Sequence, residues 1–133
     1  VAKNTRSAAE NNAPARIKKM ELTAKEFAAN RGGKILVDIR RVDEWRLTGV
    51  IDGAHLLTFF DAEGNADIAG WMVALEKIAP PDMELVLICR SGHRTGIVLD
   101  FLLTQTPYRQ VQHLKNGMTD WLANGLPTVS VKD

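Results

Sequence analysis

Apolar residues recur along this chain in two spacings, one suited to buried strands and one to helices. Ile35-Leu36-Val37 and Leu85-Val86-Leu87-Ile88 are short, unbroken apolar runs, the pattern of strands covered on both faces in a parallel sheet. Ile68, Trp71, Met72, Leu75 and Ile78 recur at helical spacing, and Pro80-Pro81 stops that helix. Ile97, Val98, Phe101 and Leu102 predict a second helical face, followed by Pro107 and a strand at Val111 to Leu114. A last helix starts near Gly117, buries Met118, Trp121 and Leu122, and ends at Gly125 and Pro127. Nearer the start, Ile17 to Met20 predicts a short first strand, and Thr23-Ala24-Lys25-Glu26 reads as a capping box opening a helix that runs to Asn30. A helix from Val42 to Thr48 with Gly49 as its stop, and a strand at Ala54 to Leu57, complete the order. Strand and helix alternate throughout, so the class is α/β with a mainly parallel sheet.

Composition narrows the function more than the fold. With 133 residues and 45% hydrophobic content, the chain suits one domain. Residues 1–16 are a polar leader, expected to be flexible, and residues 17–133 form the domain. The chain begins with Val, so a signal peptide was removed or the sequence was trimmed, and both cytosol and periplasm stay open. Lys and Arg total 17 against 16 Asp and Glu, which points to no nucleic-acid partner. No apolar run approaches the ~20 residues that span a bilayer. The single cysteine excludes an intrachain disulfide framework and a Cys-rich zinc site, leaving a buried filler, a reactive thiol or an intermolecular link.

The context of that cysteine favours reactivity. Strand Leu85 to Ile88 runs directly into Cys89-Arg90-Ser91-Gly92-His93-Arg94-Thr95. A nucleophilic cysteine works as its thiolate, which needs stabilisation near neutral pH. If Arg94-Thr95 opens a helix, the loop amides and the positive helix end point at the anion that the loop encloses. Arg90 and Arg94 add positive charge, and Gly92 permits a tight turn. Two guanidinium groups beside an inert, buried thiol would be costly.

These residues resemble the rhodanese-like family of sulfurtransferases. Cys89 to Thr95 looks like the active-site loop of its single-domain members, in which the cysteine begins a six-residue loop. Asp38-Ile39-Arg40 with Glu44-Trp45 resembles an upstream Asp-x-Arg and Glu-aromatic signature, Gly53-Ala54-His55-Leu56 a Gly-Ala turn, and Leu114 to Pro127 a closing motif. Asn116 departs from that motif, where the family usually has glycine. The resemblance covers Leu22 to Val129 and implies a five-stranded, mainly parallel sheet flanked by helices on both faces, with the cysteine at its carboxyl edge. It further implies a persulfide carried on Cys89, a small anionic sulfur donor such as thiosulfate, a thiol or cyanide acceptor or a sulfur-acceptor protein, and no cofactor. Arg90 and Arg94 would attract and orient the donor, and Ser91 would supply a hydroxyl. The basic loop resembles the thiosulfate-using branch more than the mercaptopyruvate-using one.

Other readings of these residues are blander. His93 reads as a substrate contact rather than a general base, and Cys89 with His93 is too sparse a pair for a metal, with His55 and His113 on separate strands. Asp38, Arg40 and Glu44 read as an ion-pair and capping cluster that braces the loop side of the sheet. A cysteine phosphatase or arsenate reductase would need arginine six positions after the nucleophile, where this chain has Thr95. A protein-to-protein sulfur carrier and a noncatalytic interaction module stay open.

Overall fold

The computed structural model describes residues 20–131. The leader and most of the strand expected at Ile17 to Met20 lie outside those residues; Met20 itself sits in a turn, and pairing begins one residue later. The strands are β1 (Glu21–Leu22), β2 (Ile35–Asp38), β3 (His55–Leu56), β4 (Leu85–Ile88) and β5 (Val111–Leu114). Between them lie helices α1 (Ala24–Ala29), α2 (Val42–Thr48), α3 (Ile68–Ile78) and α4 (His93–Gln105), and α5 (Gly117–Ala123) follows β5. The strands form one sheet in the order β1-β5-β4-β2-β3, and every pairing is parallel. The fold is therefore of the α/β class that the alternation of elements predicts, with the five-stranded parallel sheet that the resemblance implies.

Period-two alternation on the central strands divides the core. Val37, Leu85, Leu87, Cys89 and Val111 pack with Trp71, Leu75, Val98, Leu99 and Leu102 from α3 and α4. Leu36, Val86, Ile88 and Leu114 face the other way, onto Phe27 of α1 and Met118 and Trp121 of α5. Both helix faces thus cover a strand set that is apolar on each side, which is why β4 reads as an unbroken run.

Three apolar residues do not take the buried places expected of them. Ile68, Ile97 and Leu122 are exposed. Each helical residue lies about 100° round the axis from the next, so the faces centred on Val98 and Trp121 leave Ile97 and Leu122 outside, whereas Ile68 is the first residue of α3 and stands at its open end. Thr95 and Leu99 complete the buried face of α4 instead.

Local signals account for the helix ends. Thr23 Oγ1 accepts from the Glu26 amide at 3.0 Å, and Glu26 Oε1 accepts from the Thr23 amide at 2.9 Å, forming the capping box at the start of α1. Asn116, which precedes α5, adopts a left-handed conformation with φ 58°. Asparagine tolerates that region better than most L-residues, so the departure from glycine keeps the turn. Its side-chain amide donates to Asp120 Oδ2 at 3.0 Å.

Candidate functional site

The turn between β4 and α4 continues the inward face of Leu85 and Leu87 by one step, and the Cys89 side chain therefore points into the protein. Cys89 is buried and unpaired. The Gly92 amide donates to its Sγ at 3.1 Å, and the Thr95 hydroxyl lies 3.5 Å from the same sulfur. Gly92 makes the first contact possible: at φ 95° it sits where only glycine is comfortable, and it caps α4.

The loop is fastened from above by α5. The Met118 and Thr119 amides donate to the Cys89 and Arg90 carbonyls at 2.9 and 3.0 Å, and Thr119 Oγ1 donates to the Arg90 carbonyl at 3.0 Å. Gly117 passes directly over the loop backbone, and a Cβ there would fall well inside van der Waals contact of the Cys89 carbonyl. Gly117 was legible in the sequence as a helix start and as part of the closing motif; its contact with the loop is a consequence of tertiary approach.

Charged residues around the loop divide into two groups. Asp38 and Arg40 are fully buried partners: Arg40 Nε donates to Asp38 Oδ1 at 3.0 Å and an Arg40 terminal nitrogen to Oδ2 at 2.8 Å. The other donors of Arg40 reach Thr48 Oγ1 at 2.9 Å and the Gly49 carbonyl at 3.1 Å, closing the end of α2. Arg40 also donates to the Glu44 carbonyl at 3.4 Å, but the Glu44 side chain turns to the loop. Its two carboxylate oxygens accept from the two terminal nitrogens of Arg94 at 2.7 and 2.6 Å, a fork geometry suited to guanidinium. Burial pushes the Glu44 carboxyl up, but the Arg94 hydrogen bonds, the Arg41 amide and both guanidinium charges outweigh it and hold the group below its ordinary value. Hydrogen bonding to Glu44 in turn raises Arg94 against the opposing effect of burial.

The residues from Cys89 to Thr95 thus have distinct settings. Thr95 is buried under Cys89, Arg94 is half-buried and already paired, and Arg90, Ser91 and His93 are exposed. Arg90 lines a groove of about 380 Å³ with Leu47, Thr119 and Leu122. The expected grouping of Asp38, Arg40 and Glu44 places the first two together and sends Glu44 to the loop.

The Rhodanese-like domain profile matches residues 23–124. The chain belongs to the rhodanese-like family. Its fold resembles that of a rhodanese-related protein from Thermoplasma volcanium, with TM-score 0.64, 19% identity, and coverage of 82% of this chain and 96% of that one. The fold is also similar to that of a Rhodopseudomonas palustris protein of unknown function, described as a possible tyrosine phosphatase, with TM-score 0.62, 18% identity and coverage of 86% of this chain and 89% of that one. A sulfurtransferase from Allochromatium vinosum is 37% identical over 51 residues, 38% of this chain and 47% of that protein. The match thus spans about half the length of that curated relative.

Two residues at the site were not singled out by rhodanese-like motifs. His113 Nδ1 lies 2.7 Å from Thr95 Oγ1, and His113 Nε2 lies 3.5 Å from Glu21 Oε2. The available signal was the parity of β5: His113 shares a face with Val111 and stands beside Leu87 in register, so the sheet turns it towards the inner side of the loop.

Proposed function

We propose that this rhodanese-like domain transfers sulfane sulfur from thiosulfate, or a similar anionic donor, to a thiophilic acceptor through a Cys89 persulfide. The observation that carries the reading is the Gly92 amide donating to Cys89 Sγ at the floor of the loop. The Cys89 thiolate attacks the outer sulfur of the donor, the donor S–S bond breaks, and sulfite leaves with the electron pair. An acceptor such as cyanide or a thiol then attacks the outer persulfide sulfur and returns the Cys89 thiolate. The bound sulfur stands about 2 Å beyond Sγ, which brings the reacting atom nearer an acceptor than the buried cysteine itself.

Donor recognition falls mainly to Arg90, because Glu44 already neutralises much of Arg94. Ser91 and His93 are exposed polar groups beside the same turn. Asp38 and Arg40 close the end of α2, the helix that carries Glu44. The phosphatase alternative is disfavoured by Thr95: a hydroxyl, not a guanidinium, stands at the sixth position and faces the sulfur. A protein-borne donor or acceptor is compatible with the same persulfide chemistry.

Intact-mass measurement after thiosulfate treatment tests the proposal. Gain of one sulfur atom on Cys89 with release of sulfite, followed by loss of that atom to cyanide, is the expected result. A folded protein that gains no sulfur from thiosulfate or from a protein persulfide overturns it.

A further inference from the structure

A series of polar contacts leads away from the sulfur towards β1. Cys89 Sγ is 3.5 Å from Thr95 Oγ1, Thr95 Oγ1 is 2.7 Å from His113 Nδ1, and His113 Nε2 is 3.5 Å from Glu21 Oε2. Cys89, Thr95 and His113 are all buried. Beyond them opens a cavity of about 690 Å³ between β1 and α4, lined by Glu21 and His113 among others. The series therefore joins a closed sulfur to a second opening, separate from the groove lined by Arg90.

The chemistry of His113 suits one end of such a series. An imidazole on the apolar face of a strand needs partners for both nitrogens, and here a hydroxyl and a carboxylate stand at them. Burial lowers the His113 pKa, and the Glu21 charge only partly offsets this, so the ring is neutral at neutral pH. With its Nε2–H turned to Glu21, Nδ1 keeps a lone pair for the Thr95 hydroxyl proton. The ionisable groups facing His113 are Glu21 from β1, Cys89 from the turn after β4, and His93 and Asp100 of α4, which line the same cavity. On its own strand and turn, Lys115 follows two residues later and is exposed.

Building on the sulfurtransferase reading, we infer that Thr95 relays the Cys89 thiol proton to His113, with Glu21 steadying the imidazolium that forms. The Cys89 S–H bond breaks and its electron pair stays on Sγ. Thr95 Oγ1 takes that proton while its own passes to His113 Nδ1. The products are a thiolate and an imidazolium, with Thr95 unchanged and no oxidant or reductant required. His113 is a positioning residue that acts through Thr95. The Gly92 amide then holds the thiolate that the relay produces.

Iodoacetamide alkylation of Cys89 followed across pH tests the relay independently of sulfur transfer. The wild-type profile is expected to show two ionisations. His113→Gln, whose amide can bond Thr95 but cannot titrate, should lose the lower one and alkylate about tenfold more slowly near neutral pH, less than the ~10²–10⁴ of a base in direct contact. Thr95→Val should lose the same limb, and Thr95→Ser should restore it. A folded His113→Gln protein with the wild-type profile overturns the inference. If His113→Gln does not fold, identical profiles for Thr95→Val and Thr95→Ser overturn it instead. A wild-type protein that shows the His113-dependent limb yet gains no sulfur from either donor supports the relay and defeats the sulfurtransferase reading.

Discussion

On the outer flank of the Cys89 loop, Arg94 meets Glu44 through two charge-assisted hydrogen bonds of 2.7 and 2.6 Å. On the inner flank, Thr95 meets His113 through a contact of 2.7 Å inside the core, with the imidazole neutral. The difference follows solvent access. Where both side chains keep some water, opposite charges can be held and cancelled in place; where water is excluded, an unpaired charge is too costly and a neutral hydrogen-bonded series takes its place. In the proposed function, the outer flank governs attraction of an anionic donor and the inner flank governs release of the thiol proton.

The largest expected effect removes what the flanks share. Cys89→Ser should abolish sulfite release and mass gain while leaving the thermal melt close to wild type, because hydroxyl replaces thiol at similar size but cannot form a persulfide. Full activity in the folded variant would show that neither flank serves this cysteine.

Next comes the buried support of the outer flank. Arg40→Ala leaves Asp38 charged and without its guanidinium, and breaking a buried pair costs about 3–5 kcal/mol. Denaturant unfolding measures the loss. A cost near that of a surface substitution would mean that the Asp38–Arg40 pair does not brace the end of α2.

Substitutions at Glu44 and Arg94 separate charge from bracing. Arg94→Ala uncovers the Glu44 carboxylate near the donor path and should raise the thiosulfate KM about tenfold, or about 1.4 kcal/mol. Glu44→Gln releases Arg94 for the donor and should lower KM about threefold. Steady-state kinetics at fixed ionic strength read both. Changes of KM in the same direction would assign the pair to loop bracing rather than to balance of charge.

The smallest effect is on stability against pH. His113 in the folded protein lies below its reference value of 6.5, so the unfolded chain takes up that proton first and stability falls as pH drops below 6.5 towards the folded value. Glu44 lies below its reference of 4.5; its contribution is present above 4.5 and is lost as pH falls through its folded value. Thermal melts across pH should show the first decline in wild type and its absence in His113→Gln.

Much of this arrangement was readable along the chain. The unbroken apolar runs of β2 and β4 marked buried strands, Thr23 and Glu26 marked the start of α1, and the polar turn after Ile88 marked the reactive loop. Faces were read less well: Ile97 and Leu122 stand next to buried residues in sequence, Val98 and Trp121, yet the turn of the helix carries them into solvent. Glu44 was grouped with Asp38 and Arg40 because they are close in sequence, whereas its carboxylate bonds Arg94, fifty residues away.

The sequence by itself determined the α/β order, the place of Cys89 at a strand end, and the kind of residue at each position of the loop, because these depend on local periodicity, turn chemistry and spacing. Only the tertiary structure decided which of those side chains meet. The parallel register of β4 with β5 sets His113 beside Leu87, and helix packing brings Glu44 to Arg94 and Gly117 onto the Cys89 carbonyl. Such contacts join residues far apart in the chain, and their geometry comes from the packing of sheet and helices rather than from any local pattern.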